Sequence, residues 1–67
     1  MYYMKRKFEE IRRKILYYLE KRTMTKMELS KTINADYRTI ERHLIWLLGN
    51  EKIKKIEKNK KVYYKVI

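Results

Sequence analysis

The stretch ELSKTINADYRTIERHLIWLLGN, residues 28–50, decides how the chain is expected to fold. Its second half carries Ile40, Leu44 and Leu47 at steps of four and three residues, the spacing of one face of an α-helix. An Asp precedes this segment and the chain's only Gly follows it, which is typical of a helix N-cap and a helix stop. We therefore predict a helix over residues 36–49, with those three side chains facing the core.

A shorter helix is predicted just before it. Thr25 and Glu28 have the spacing of a capping box, in which each side chain accepts a hydrogen bond from the other residue's backbone amide. The candidate core residues of this helix are Met27, Leu29 and Ile33. Asn34 suits the left-handed position that follows a helix. Two short helices joined by residues 34–36 have the spacing of a helix-turn-helix, a motif that requires a tight turn.

The N-terminal segment predicts a longer amphipathic helix over residues 4–22. Its apolar stripe steps by three and four residues and consists of Met4, Phe8, Ile11, Ile15, Tyr18 and Leu19. All of these except Leu19 also fit a heptad spacing, so the N-terminal half of the helix could pair with a copy of itself.

Chain length adds a second reason to expect a homodimer. A domain of 67 residues buries only about 60% of its unfolded surface, and such domains are commonly stabilised by disulfides, metals or oligomerisation. The chain has no Cys and a single His, which disfavours the first two. We therefore expect a homodimer whose contact is formed by Met4, Phe8, Ile11, Ile15 and Tyr18.

The C-terminal segment KIKKIEKNKKVYYKVI, residues 52–67, predicts a β-hairpin with a basic tip. Its last strand alternates between two sets, Val62, Tyr64 and Val66 against Tyr63, Lys65 and Ile67. Lys65 marks the second set as the exposed one, so the first set should pack inward. Ile53 and Ile56 have opposite parity, which leaves the register of the first strand open. Residues 23–25 could add a short extended segment.

The 19 basic and 8 acidic side chains give a formal net charge of +11. Residues 1–22 carry eight basic and three acidic side chains, and residues 51–67 carry seven and two. The middle, residues 23–50, carries four and three and is nearly neutral. Such a balance indicates a polyanionic partner, either nucleic acid or an anionic membrane surface. Basic arms around a nearly neutral centre favour phosphate contacts on both sides of a more selective segment.

Membrane insertion and catalysis are disfavoured. The longest apolar run, residues 44–48, is far too short to span a bilayer, and the N-terminus lacks the apolar core of a signal peptide. We therefore expect a cytoplasmic protein with no membrane partner.

The lack of Cys excludes thiol catalysis and a cysteine-based metal site. Ser30, His43 and Asp36 are the only residues of their types, which makes no credible triad. We expect no enzyme activity, no metal and no cofactor.

With these features the chain resembles the winged helix-turn-helix transcriptional regulators of the ArsR and MarR kind, in particular the small archaeal, viral and plasmid examples. The resemblance is carried by the two helices and their turn, by the step Arg42-His43-Leu44, and by the strand Val62-Tyr63-Tyr64; it covers residues 11–67. It implies an α+β fold, mostly α, in a single domain over residues 1–67. Three helices would precede a C-terminal β-hairpin wing, and residues 1–10 would extend the first helix. The metal ligands of the metal-sensing branch are missing, and no small-molecule effector is evident.

The resemblance implies a sequence-specific double-stranded DNA-binding transcriptional regulator. Helix 36–49 would enter the major groove, and the basic wing 57–61 would contact phosphate or the minor groove. The implied DNA-binding residues are Tyr37, Arg38, Thr39, Glu41 and Arg42 on the helix and Lys58, Asn59, Lys60 and Lys61 on the wing. Glu41 could read cytosine or only orient the arginines. The alternative is a winged-helix module for protein interaction or for non-specific nucleic-acid binding.

Plainer interpretations of the same residues stay open. The helix residues could form an ordinary solvated face, and a lysine-rich turn could simply protect a strand edge. The basic N-terminal helix could also lie on a membrane surface. Ile45, Trp46 and Leu48 exceed what one core face needs. They could pack beneath the first helix or against the wing tyrosines, or they could form an exposed patch that completes a dimer.

Overall fold

A computed structural model describes the backbone of residues 2–67 and the side chains of residues 9–67. The elements in chain order are α1 (Tyr2–Lys21), β1 (Met24–Thr25), α2 (Lys26–Ile33), α3 (Tyr37–Gly49), β2 (Ile53–Lys58) and β3 (Lys61–Val66). The strands form one antiparallel sheet in the order β1-β3-β2. The predicted α+β class is confirmed: three helices, mostly helical, with a C-terminal hairpin wing.

Side-chain hydrogen bonds fix the ends of the two central helices. The capping box of α2 is formed, because the Glu28 amide donates to Thr25 Oγ1 at 3.1 Å and the Thr25 amide donates to Glu28 Oε1 at 2.9 Å. Asn34 ends α2 in the left-handed conformation, at φ 63°. Asp36 then caps α3 by accepting from the Arg38 amide at 3.2 Å. These short-range contacts set the tight turn of a helix-turn-helix.

The core draws on all six elements. Its buried residues are Ile15, Leu19, Met24, Leu29, Ile40, Leu44, Leu47, Ile53 and Tyr64. The predicted core face of α3 is therefore confirmed, since its three members are all buried. Met27, a candidate core residue, is exposed, and that prediction was wrong. The capping box fixes the start of α2 so that Leu29 faces the core, and Met27 then lies about 200° away around the helix.

Strand pairing settles the register of the wing. Ile53 lies opposite Val66 and is buried, whereas Ile56 lies opposite Tyr63 on the other face of the sheet. Tyr64 is buried beneath the helices, and the predicted inward set packs as expected except that Val62 remains exposed. Val62 lies next to the hairpin tip and lines an open groove between the wing and the helices.

Ile15 belongs to the core of a single chain. It is 0% exposed and packs with Leu19 and the buried residues of α3. The expectation that Ile15 forms a dimer contact was wrong, because a fully buried side chain has no surface for a partner. Ile11 and Tyr18 are half-buried against the same core. Met4 and Phe8 lie outside the residues whose side chains are described.

The end of α3 does not use its glycine as the left-handed residue. Gly49 is the last helical residue and has no positive φ, whereas Glu51 adopts φ 55°. A Cβ placed on Gly49 would meet no atom within 4 Å. The local fold therefore has no need of a glycine at this position.

We expect Gly49→Ala to stabilise the protein by about 0.5–1 kcal/mol. Glycine loses more backbone freedom than alanine when a helix forms, and alanine meets no steric obstacle at this position. Urea unfolding of the two proteins measures the difference. A lower free energy of unfolding for the alanine variant would contradict this description of the end of α3.

Candidate nucleic-acid interface

One face of α3 points away from the core. Arg38, Arg42 and Ile45 are exposed and follow one another at steps of four and three residues. At 100° per residue they lie within about 60° of each other, roughly opposite the buried Ile40 and Leu47. The predicted helix residues thus divide: the two arginines share the outward ridge, and Tyr37 is exposed at the first turn, whereas Thr39 is half-buried on another side.

Glu41 is paired with a residue that the sequence did not single out. Lys26 Nζ donates to Glu41 Oε2 at 2.9 Å and lies 5.2 Å from the centre of the Tyr37 ring. The hydrogen bond to Glu41 raises the pKa of Lys26 above its ordinary value. This ion pair joins the start of α2 to α3. Glu41 therefore orients Lys26, whereas the sequence had suggested that it orients the neighbouring arginines.

An open groove separates the start of α3 from the wing. Its volume is about 700 Å³. The lining residues that carry charge or an aromatic ring include Lys26, Tyr37, Lys55, Lys61 and Tyr63. The structure therefore brings the first turn of α3 and the base of the wing tip to one groove. Lys26 and Lys55 were not among the sequence-based candidates, because neither belongs to α3 or to the wing tip.

The wing tip is a two-residue turn with an unusual second residue. Asn59 and Lys60 have φ values of 51° and 64°, the backbone of a type I′ turn. Glycine is the favoured residue at the position of Lys60, because a side chain there crowds the backbone. All four predicted tip residues, numbers 58–61, are exposed. The chain thus tolerates a strained conformation that presents a positive charge at the tip.

Lysines also face each other across the wing. Lys58 lies directly opposite Lys61, and Lys54 lies directly opposite Lys65. Like charges in directly opposed positions destabilise a sheet. The four lysines occupy one face of the hairpin, because they are separated by even numbers of residues along each strand. That Lys54 lies opposite Lys65 could be recognised only once the strand register was known.

A cluster of Arg12, His43 and Trp46 joins α1 to α3. Arg12 Nε donates to His43 Nδ1 at 3.3 Å, and the Arg12 guanidinium lies 3.8 Å from the centre of the Trp46 ring. His43 is buried, and Trp46 remains 42% exposed. Arg12 was not predicted from the sequence, because it is 31 residues away from its histidine partner.

The three apolar residues at the back of α3 have different surroundings. Trp46 packs against Arg12 of α1, and Leu48 is partly buried against the core. Ile45 is 63% exposed. Trp46 and Leu48 therefore have contacts within one chain, although Trp46 stays partly exposed, and Ile45 is the most exposed of the three.

Acidification is expected to weaken the contact between α1 and α3. Burial, and secondarily the charge of Arg12, lower the pKa of His43 below its ordinary 6.5. The folded protein thus binds a proton less readily than the unfolded chain. The contribution of neutral His43 to the free energy of unfolding is fully present above pH 6.5. It is lost as the pH falls from 6.5 towards the lower pKa of the folded protein, at no more than about 1.4 kcal/mol per pH unit.

Urea unfolding at pH 7.0 and 5.5 measures this loss. His43 is the only histidine, so a His43→Gln variant should show much less pH dependence in this range, whatever its absolute stability. Equal pH dependence in the two proteins would contradict the assignment.

In the part of the chain that the structure describes, no helix is both long enough and apolar enough to cross a membrane. Within the same part, no three or more His, Cys, Asp or Glu side chains cluster in a way that could hold a metal ion.

Comparison with known proteins gives one informative likeness. No protein-family model and no curated protein matches the chain. A similar solved structure is reduced HlyU from Vibrio cholerae N16961, with a TM-score of 0.77 and 23% sequence identity. The match covers 84% of this chain and 59% of HlyU, so the chain spans about three fifths of that neighbour's length. At this level of identity the likeness concerns architecture, and it shows that the chain has the winged helix-turn-helix fold.

Proposed function

We propose that the protein is a sequence-specific double-stranded DNA-binding transcriptional regulator. The observation that carries the proposal is the exposure of Arg38 and Arg42 on α3, the helix whose first residue, Tyr37, lines a groove that lysines of the wing also line. In a helix-turn-helix the second helix enters the major groove with its N-terminal part leading. A neighbouring groove lined by lysines suits the DNA backbone, which carries one negative charge per phosphate.

Arg38 and Arg42 are the proposed base-reading residues. A guanidinium can donate two hydrogen bonds to O6 and N7 of guanine, a contact worth about 1–3 kcal/mol of discrimination. Tyr37 and Thr39 are placed by the same proposal near phosphate at the first turn of α3. Glu41 holds Lys26 at the groove wall, where its ammonium group can contact the backbone.

The wing supplies the second half of the proposed contact. Lys58, Asn59, Lys60 and Lys61 would lie on phosphate or at the minor groove. The strained φ of Lys60 and the opposed pair formed by Lys58 and Lys61 support this role, because both features cost stability in the free protein. A bound polyanion would offset the repulsion between the opposed lysines.

The proposal includes a homodimer formed through α1. Within the described side chains, Ile11 and Tyr18 retain some exposed surface, and Met4 and Phe8 continue the same stripe in the sequence. A two-fold dimer would bind two half-sites about 34–36 Å apart, or a multiple of that distance. Sedimentation without DNA tests this part separately: a strict monomer at tens of micromolar would contradict it. With DNA as its partner, the protein is expected in the cytoplasm.

A second candidate function is non-specific nucleic-acid binding by the same fold. The lysine face of the wing favours it, since phosphate contacts carry no sequence information. Such a protein would bind all duplexes alike and would lose affinity steeply with salt. The exposed arginines of α3 favour the sequence-specific function, because an arginine in the major groove can make a bidentate contact with guanine, and such a contact reads sequence.

Selection of genomic DNA fragments by the purified protein at near-physiological salt separates the two functions. The regulator should recover a shared motif, with affinity at least about 10³-fold above that for a scrambled duplex. If the recovered fragments share no motif and bind as well as the scrambled duplex, the regulator proposal fails and the non-specific function stands.

Lys60→Gly is expected to move stability and DNA affinity in opposite directions. Glycine relieves the left-handed backbone and should raise stability by about 0.5–1 kcal/mol. Loss of one phosphate contact should weaken binding and reduce the salt slope, log K against log salt, by about 0.9.

The matched control for this variant is Glu51→Gly, which relieves a similar φ of 55° without removing a positive charge. It should gain stability and keep its DNA affinity. If Lys60→Gly binds DNA with an unchanged salt slope, the lysine has no phosphate contact.

A further inference from the structure

We propose that Ile45 reads DNA sequence by contacting the methyl group of a thymine in the major groove. This inference rests on the proposed function and adds a specificity-determining residue to it. Ile45 was open to two other interpretations from sequence, as part of the core or as part of a dimer patch. Its position in the structure favours a third, contact with a base.

The position of Ile45 on α3 supports this inference. Ile45 is 63% exposed and continues the ridge of Arg38 and Arg42 one turn further along α3. Together with Glu41, these residues have the spacing i, i+3, i+4 and i+7. Homeodomains read bases from four positions of one helix with that same spacing. A helix inserted deeply enough for Arg42 to reach a base would bring Ile45 to the groove as well.

The side-chain types on the outward ridge of α3 also support the inference. The ridge carries two guanidinium groups, which suit guanine, and one branched apolar side chain, which suits no hydrogen-bonding base edge. Thymine alone among the four bases presents a methyl group in the major groove. An apolar side chain in that position therefore discriminates thymine from the other three bases.

A second copy of the chain is a poorer occupant of this surface. Any partner that covered Ile45 would also cover Arg42, one turn away on the same ridge. A two-fold contact centred there would bring the two copies' arginines together and desolvate like charges. The apolar neighbour Trp46 is already engaged by Arg12 on another side of the helix. DNA instead supplies an apolar methyl group beside acceptors and phosphates that suit the arginines.

The test uses the selected site with each thymine replaced in turn by deoxyuridine, which removes only the methyl group. The wild-type protein should lose about three- to fivefold in affinity at one position of each half-site. The Ile45→Ala variant should bind the unmodified site more weakly and should lose nothing further at that position. Alanine is a good helix former at an exposed position, so this variant should remain folded.

Ile67→Ala is the control, because it shortens another exposed isoleucine, 71% exposed, that does not belong to α3. It should show the wild-type response to deoxyuridine. A motif that tolerates deoxyuridine everywhere, or an Ile45→Ala variant that keeps the full deoxyuridine loss, overturns the inference and leaves the proposed function intact. Recovery of no motif overturns the proposed function and the inference with it.

Discussion

Replacement of Arg42 with Ala is expected to lower affinity for the selected DNA site by about 5- to 150-fold, and Arg38→Ala should do the same. The range corresponds to about 1–3 kcal/mol for a bidentate contact between arginine and guanine. Both arginines are exposed and outside the core, so the free energy of unfolding should change little. Binding isotherms with the selected duplex and with single-base variants of it measure the effect.

The pattern of loss distinguishes base contact from phosphate contact. Removal of a base-reading arginine gives a variant that no longer discriminates at one base pair. Removal of a phosphate-binding arginine instead weakens binding to all duplexes alike and lowers the salt slope by about 1. Arg42→Lys separates charge from geometry, because lysine keeps the charge and lacks the planar fork. Arg13→Ala removes an exposed arginine from α1 and should leave specificity unchanged. If the Arg13 and Arg42 variants lose affinity equally and without change of specificity, α3 has no reading role.

Ile15→Ala is expected to lose about 2–5 kcal/mol of stability. Ile15 is completely buried in a cluster to which the other helices also contribute, so the substitution leaves a cavity in the core of a small domain. A loss of that size approaches the whole stability of many domains of this length. Urea unfolding measures it, provided that the wild-type protein is compared at the same concentration.

Ile67→Ala provides the comparison, because it removes the same atoms from a side chain that is 71% exposed. It should cost less than about 0.5 kcal/mol. If Ile15→Ala instead unfolded like the wild type and changed only the sedimentation behaviour, the residue would be a dimer contact and the core description would be wrong.

Local signals in the sequence were sufficient for the two central helices and their ends. The capping box at Thr25, the left-handed Asn34 and the apolar spacing of Ile40 and Leu44 each specify backbone conformation within a few residues. The alternation around Tyr64 likewise predicts which face of the last strand packs inward. Each of these features depends on neighbours in sequence, and such features can be predicted without the fold.

The features that could not be predicted from the sequence depend on contacts between residues far apart in the chain. An amphipathic stripe has the same spacing whether it covers a core or a second copy, so periodicity could not assign Ile15. The contacts of Arg12 with His43 and of Lys26 with Glu41 join residues 31 and 15 positions apart. Nothing in the local pattern of either partner indicates the other. The arrangement of Lys54 and its opposite lysine depended in the same way on strand register.

We propose that the outward ridge of α3 and the wing tip together form the surface that contacts DNA. Nuclear magnetic resonance of the ¹⁵N-labelled protein tests this proposal most directly, by titration with the selected duplex at near-physiological salt. The largest changes in backbone amide shifts should fall at residues 37–45 and 58–61, with small changes at the exposed Arg13 and Lys14 of α1. Changes concentrated on α1, or spread evenly over all basic segments, would contradict the claim.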